Sequence, residues 1–436
     1  YLNVDSYYYT LLISLSPLIG FIFYKKEETK VNIYTKIITV IAGFFLLPIF
    51  ISLPYFFSIY NISFFDAYFE AVSGFTSTGF TIFENIKHLD ESLIIWRSSS
   101  QWIGGLYFLF SIILLIDIFD ENLKKTLTNF LTINSTEFYR QSIKIFIFYS
   151  FLTFIIYLVL NLFEFRSFIS LNLAMTLISS GGFLPINNLD TILITQKQLL
   201  SFSTLMLVSF FSLFFIYNLM VYKKKGIKFI QEDLYLIFYL ILVVFTFFFF
   251  IDKEINFGII FLAISSSVSN MGISLDNTPD NLTFVFIILI IIGGSFFSTS
   301  SGLRFLKLVA LFKFSINQII SNAKPKNIFI NKLSFSEKIM ETSDFYKYFL
   351  TILVFIISLI ILTSVLSIYG LNLEESFKIS VLTLMNTTNS SLTGLSVFNF
   401  GELNYFAKQS IILFMIIGRV ELLSILIIFK KFFFKN

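Results

Sequence analysis

The sequence predicts an all-α integral membrane protein, in which at least one N-terminal transmembrane helix precedes four repeats of helix, short helix, loop and helix around one central ion pathway. Three observations carry this reading. Of 436 residues, 56% are hydrophobic and only 13% charged, with mean hydropathy +0.84, whereas soluble domains are about a quarter charged. Apolar runs near the ~20 residues that cross a bilayer recur at about 9–24, 38–57, 93–118, 145–163, 199–222, 234–251, 284–314, 349–368 and 411–434. After the first run they fall into four pairs, and inside each pair a shorter, half-apolar stretch ends in small polar residues, Gly and a bulky apolar residue. These endings are "TSTGF" (76–80), "SSGGF" (179–183), "SNMGI" (269–273) and "SLTGL" (391–395). Four similar endings, one per pair, define an internal repeat.

The elements follow in order. Residues 1–30 hold the first helix: no basic stretch precedes Tyr9–Tyr24 and no small-residue cleavage site follows, so the run reads as a span and not a signal peptide. The chain begins at Tyr1 rather than Met, which predicts residues upstream. Repeat 1 covers 31–122, repeat 2 covers 123–228, repeat 3 covers 229–325 and repeat 4 covers 326–436. The short helix of repeat 1 has a start signal, Ser63 with Asp66 at capping-box spacing, and Glu374 and Glu375 open that of repeat 4. The second run of repeat 3, Phe284 to Phe314, is too long for one straight span, and its middle, Gly293 to Gly302, is rich in Gly and Ser. Irregular backbone at that depth is tolerated only inside protein or beside a water-filled cavity. A long tilted helix with a glycine kink is the simpler alternative.

Basic residues give the orientation. Of 31 Lys and Arg, seven fall on one side (Lys87, Arg97, Arg166, Lys197, Lys253, Lys378, Lys408) and three inside spans (Arg304, Lys307, Arg419). The remainder, including Lys25, Lys26, Lys124, Lys125, Lys223, Lys224, Lys225, Lys324, Lys326, Lys430 and Lys431, share the other side. That side is predicted to be cytoplasmic, with the C-terminus on it, and all four loops then enter from outside. The short helices aim their C-termini, the negative dipole ends, into the membrane, where a cation is stabilised.

Glycine admits backbone conformations that other residues resist. Four such loops about one axis can present rings of carbonyl oxygens, which replace the hydration shell of an alkali cation. The predicted cation-binding residues are Ser77, Thr78 and Gly79; Ser180, Gly181 and Gly182; Asn270, Met271 and Gly272; and Leu392, Thr393 and Gly394. The competing explanation is that the glycines only permit close helix packing. Arg419, 11 residues from both Lys408 and Lys430, falls near the bilayer midplane, where an arginine is costly unless it faces water or a partner. It reads either as a functional group or as half of an ion pair between helices.

Other functions are disfavoured. There are no cysteines and one histidine, His88, so thiolate and histidine metal centres are excluded or improbable. No DxD motif or His cluster suggests a membrane enzyme, and no cofactor is expected. No G-x-G-x-x-G follows a predicted strand, so the chain has no nucleotide-binding domain of its own, and nothing points to nucleic acid. An inverted-repeat transporter would have loops alternating in direction.

At these residues the sequence resembles the Trk/Ktr/HKT superfamily of potassium transporters, most closely its bacterial Trk type. "FDAYFEAVSGFTSTGF" (65–80) and "WRSSSQWIGG" (96–105) resemble the first pore loop and the helix after it. "SNMGISL" (269–275) and "TGLS" (393–396) resemble the third and fourth filters, "GGSFFSTSSGLRFLK" (293–307) the broken helix, and "GRVE" (418–421) the last helix. The resemblance implies one potassium pathway per chain and K+ as the transported ion. It implies a homodimer in the bacterial cytoplasmic (inner) membrane, in contact with lipid, and a cytosolic nucleotide-binding regulatory subunit on the basic face. It further implies a gate formed by Gly293, Gly294, Ser298, Thr299, Ser300, Ser301 and Gly302, with Arg419 in the pathway below the filter. Three features depart from the pattern: "LMLVSFFSLFF" (205–215) lacks paired glycines, "STSSG" (298–302) is poor in glycine, and one span rather than two precedes repeat 1. With glycine expected in all four loops, potassium is favoured over sodium or weakly selective transport.

Overall fold

A computed structural model describes residues 4–16, 32–115, 137–213, 215–216, 231–250, 256–323, 342–396 and 398–420. Long apolar runs become helices because in hydrocarbon each backbone polar group must be satisfied within its own segment. Helix α1 (Val4–Ser14) packs on α2 (Ile33–Phe56). Repeat 1 consists of α2, the short α3 (Phe64–Phe75) and α4 (Glu91–Leu114). Repeat 2 comprises α5 (Glu137–Leu162), α6 (Ser167–Ile178) and α7 (Gln196–Met206). Repeat 3 comprises α8 (Gln231–Phe250), α9 (Phe257–Val268), α10 (Thr283–Ile291) and α11 (Phe305–Ala323), and repeat 4 α12 (Thr342–Ile368), α13 (Leu373–Met385) and α14 (Tyr405–Arg419). The predicted all-α class holds; among the described residues the only strands are β1 (Ile292–Gly293) and β2 (Leu303–Arg304), paired in parallel.

Among the described residues, the four helices long and apolar enough to cross a membrane, Ile33–Phe56, Gln141–Leu162, Glu232–Phe249 and Phe345–Ile368, are the first helices of the four repeats. They carry many exposed Phe, Ile and Leu side chains, as a lipid-facing ring requires. The short helices α3, α6, α9 and α13 are 12 or 13 residues long. At 1.5 Å per residue they reach about halfway through a ~30 Å hydrocarbon core. Their C-terminal halves are buried almost completely. The start of α3 is set as the sequence suggests: Ser63 Oγ accepts from Asp66 N at 3.1 Å. The return half of the box is replaced by Ser63 Oγ donating to Asp66 Oδ2 at 2.7 Å, and Lys408 Nζ donates to Asp66 Oδ1 at 2.6 Å.

Two expectations about continuity meet different outcomes. The long run of repeat 3 is broken, not merely kinked: α10 stops at Ile291, residues 292–304 are extended or turning, and α11 resumes at Phe305. The run at 199–222, in contrast, reads as one span, yet α7 ends at Met206 and the chain turns through 207–212. No glycine marks this break. Its backbone is satisfied from repeat 3 instead: Leu213 N donates to Phe297 O (2.9 Å), Ser295 N to Phe210 O (3.0 Å) and Ser300 N to Ser209 O (3.2 Å). The repeat boundaries, the basic clusters at 25–26, 124–125, 223–225, 324–326 and 430–431, and Glu421 lie outside the described residues.

Candidate functional site

Each short helix ends in the same backbone device. One residue adopts positive φ: Ser77 (59°), Ser180 (52°), Asn270 (59°) and Asn386 (47°). The next N–H turns back to the carbonyl five residues earlier: Thr78 to Ser73 (2.9 Å), Gly181 to Thr176 (2.9 Å), Met271 to Ser266 (3.0 Å) and Thr387 to Leu382 (2.9 Å). The following position is Gly79, Gly182, Gly272 or Thr388. Gly79 and Gly272 have φ of 84° and 71°, which only glycine adopts readily; Gly182 and Thr388 are not among the residues with positive φ.

These four positions meet. A Cβ placed on Gly79 would lie 2.8 Å from Gly182 Cα and 3.0 Å from Thr388 Cβ, and one on Gly182 would be 3.1 Å from Met271 O. A Cβ on Gly272 would run into the backbone of Thr388. Thr388 N donates to Met271 O (3.4 Å) and Thr388 Oγ1 to Gly79 O (2.8 Å), closing the ring in the order 79, 182, 272, 388. The first three loops thus sit together as the sequence suggests. The fourth does not. Leu392, Thr393 and Gly394 belong to a turn further along; Gly394 is exposed, has φ 67°, and its missing Cβ would face Lys378 Nζ at 3.2 Å. The residues that complete the ring are Asn386, Thr387 and Thr388. A search for glycine finds the wrong segment, because the device is fixed by where α13 ends and by the left-handed Asn386. Asparagine tolerates that conformation better than most residues.

Above the ring lies a cavity of about 700 Å³ that touches Gly79, Gly182, Gly272 and Thr388 and carries Glu84, Asp276 and Glu402 in its wall. Below it is the broken segment of repeat 3. Ser180 Oγ donates to Thr299 O (2.9 Å), Thr299 Oγ1 to Ile178 O (2.7 Å) and Ser301 Oγ to Asn386 Oδ1 (3.4 Å). Within the segment, Gly293 pairs with Arg304, Ser300 Oγ accepts from Gly294 N (3.2 Å), and Ser298 Oγ donates to Ser295 O (2.7 Å). Gly302 adopts φ 81°. Arg419 is buried at the end of α14. It donates to Ser301 Oγ (2.6 Å) and Ser77 Oγ (3.3 Å), with its guanidinium 4.3 Å from the centre of the Phe108 ring. Among the described residues no carboxylate lies within salt-bridge distance of Arg419. Phe108, Ser301, Gly302, Arg304, Lys307 and Arg419 line a space of only about 40 Å³, little more than a few water molecules need. The sequence-selected residues 293–302 and Arg419 therefore meet directly beneath the ring. The arrangement offers carbonyl and hydroxyl oxygens at the focus of four helix C-termini, above a tight constriction bearing positive charge.

Several contributing groups escape the sequence reading. Glu70 and Arg97, both buried, are paired at 2.9 Å. Glu70 also accepts from Thr81 Oγ1 (3.0 Å) and Ile82 N (2.9 Å), and the Arg97 guanidinium stacks 4.2 Å from the Phe183 ring. The pair thus braces the chain just after both Gly79 and Gly182. Arg97, counted by charge as a residue of the outer side, is part of this brace. Glu232 accepts from Phe296 N (3.1 Å) and Asp233 from Ser212 N (2.9 Å), tying the two helix breaks to the start of α8. Neither pairing has a local spacing that a single sequence reveals.

Fold and site together define a multi-pass membrane protein of four pore-loop repeats. The chain is 25% identical over 415 residues to the Trk system potassium uptake protein TrkG of Escherichia coli, covering 86% of this chain and 80% of that protein. It is 23% identical over 424 residues to the Trk system potassium uptake protein TrkH of Salmonella typhimurium, covering 88% and 83%. An uncharacterized cation transporter of Methanocaldococcus jannaschii is 25% identical over 413 residues, covering 89% and 80%. The crystal structure of the potassium transporter TrkH from Vibrio parahaemolyticus superposes with a TM-score of 0.84 at 18% identity, over 99% of this chain and 92% of that one. No protein-family profile matches. The chain is thus similar over most of its length to potassium uptake proteins of Trk systems, and its fold is that of the TrkH structure.

Proposed function

We propose that this protein takes up potassium ions across a membrane through the ring formed by Gly79, Gly182, Gly272 and Thr388. The observation that carries the reading is the convergence of four helix ends with the same left-handed turn, between a wide outer cavity and a narrow charged constriction. A cation arriving from the outer cavity exchanges part of its water for carbonyl and hydroxyl oxygens of the loops. The C-terminal dipoles of α3, α6, α9 and α13 favour its charge there. Passage further inward requires the 293–302 segment and Arg419 to move aside, so these act as the gate. The names of the relatives, potassium uptake proteins of Trk systems, support K+ as the substrate. The reading extends to a homodimer in the bacterial cytoplasmic membrane, with a separate cytosolic nucleotide-binding subunit acting on the gate. One observation favours a second reading, weak discrimination between K+ and Na+: the fourth ring position is threonine. Purified protein in proteoliposomes carrying a trapped fluorescent K+ indicator tests the proposal. Influx driven by an inside-negative potential, with Na+ as a poor competitor, is expected. Equal competition by Na+ would replace the first reading with the second, and no influx of any alkali cation would reject both.

A further inference from the structure

The ring has three glycines and one residue with a side chain, and that side chain does not point away. Thr388 Oγ1 donates to Gly79 O at 2.8 Å. Its Cβ and Cγ2 lie where a Cβ on Gly182 would stand, and Gly182 is the ring position opposite it. The threonine side chain is thus bonded to one neighbouring loop and packed against the loop facing it. The residue is nearly buried, and it occupies the floor of the outer cavity. Backbone geometry does not demand glycine here, since position 388, like 182, avoids positive φ.

We propose that Thr388 is a specificity-determining residue that makes the filter discriminate against large alkali cations, an inference that rests on the ring being the cation pathway. Two physical effects act together. The side chain narrows the lumen, so a cation needing a wide ring of oxygens is disfavoured more than a small one. The hydroxyl also takes up the Gly79 carbonyl as an acceptor, so an arriving ion must displace that hydrogen bond before it gains this oxygen. The ion then meets the hydroxyl oxygen as a replacement ligand. K+ passes by turning the side chain aside, whereas Rb+ and Cs+ require more clearance than the rotated side chain leaves.

The test compares uptake of K+, Rb+ and Cs+ by one preparation of the full chain in proteoliposomes, for the parent and for Thr388→Gly, Thr388→Ser and Thr388→Val. Ratios within one preparation do not depend on how much protein is folded. Thr388→Gly is expected to raise Cs+ uptake relative to K+ by about tenfold or more, and Rb+ relative to K+ by less. Thr388→Ser keeps the hydroxyl and removes the methyl, so it should move the ratios partway; it also serves if the glycine variant folds poorly. Thr388→Val keeps the bulk and loses the oxygen, so it should keep the parent's ratios while slowing K+. Unchanged ratios in both the glycine and serine variants, with normal K+ uptake by the parent, overturn the role of Thr388 and leave the pathway standing. Absence of uptake of every alkali cation by the parent, and by a parent shortened within 293–302, overturns the pathway itself.

Discussion

The brace behind the filter offers a sharp test, because its two charges are almost wholly enclosed: Arg97 is 1% exposed and Glu70 0%. Replacing Glu70 by Met strands the Arg97 cation and orphans two further donors, Thr81 Oγ1 and Ile82 N. Removing one member of a buried pair costs about 3–5 kcal/mol, which at ~1.4 kcal/mol per tenfold is two to three and a half orders of magnitude in the folding equilibrium. Glu70→Met should therefore give a much lower melting temperature in detergent and a low yield. The double variant Glu70→Met/Arg97→Met removes both charges, and replacing a whole buried pair with packed apolar groups is often neutral, so it should regain most of the lost stability. Selectivity should not return with it. Ile82 N and Thr81 still lack the carboxylate that fixes the chain after Gly79, and Phe183 still lacks its guanidinium. Thermal unfolding in detergent and the K+/Na+ uptake ratio, measured side by side, check the two halves. Recovery of both stability and selectivity in the double variant would refute the argument that the pair holds the loops in register; it would then be dispensable packing.

The other expectations are briefer. Gly79→Ser should lower the K+/Na+ uptake ratio, because φ 84° is strained for serine and its Cβ would lie 2.8 Å from Gly182 Cα; an unchanged ratio would count against the ring. Gly394→Ser should leave the ratio as it is and cost only about 1–2 kcal/mol for the left-handed backbone, so a loss of selectivity there would restore the segment 392–394 to the filter. Arg419→Ala should raise K+ flux per folded molecule severalfold, since unit charges 4 Å apart repel by ~4 kcal/mol at an effective dielectric of 20 before screening. Normal yield with unchanged or reduced flux would remove Arg419 from the barrier. Asp233→Asn should loosen the break after α7 by weakening the bond to Ser212 N, seen as faster hydrogen exchange at 207–213; equal exchange rates would make that bond incidental.

Much of this architecture is legible in the sequence, because a bilayer permits few solutions. The fourfold pattern, the first three loops and the break after Ile291 follow from runs of apolar length interrupted by small residues. Arg419 was conspicuous as a charge in an apolar run. The fourth ring segment is not legible in the same way, since "SLTGL" imitates the other endings while "MNTTN" contains no glycine. What positions the ring is the end of a helix and one left-handed residue, and asparagine serves as well as serine there. The break at 207–212 was invisible for a related reason. Its backbone groups are satisfied by residues 295–300 of another repeat, so nothing local needed to change. Glu70 and Arg97 lie on different helices, 27 positions apart, and only the packing of α3 on α4 brings them together.

The backbone of the ring has a lower symmetry than its four repeats suggest. Positions 79 and 272 face each other and need left-handed glycine; positions 182 and 388 face each other and do not. One diagonal is therefore locked by conformation, and the other is limited only by space. That space is shared: where a Cβ on Gly182 would stand, Thr388 already stands. The second diagonal accommodates one side chain, on either end but not on both. In this chain a side chain at position 182 is therefore expected to require glycine at position 388.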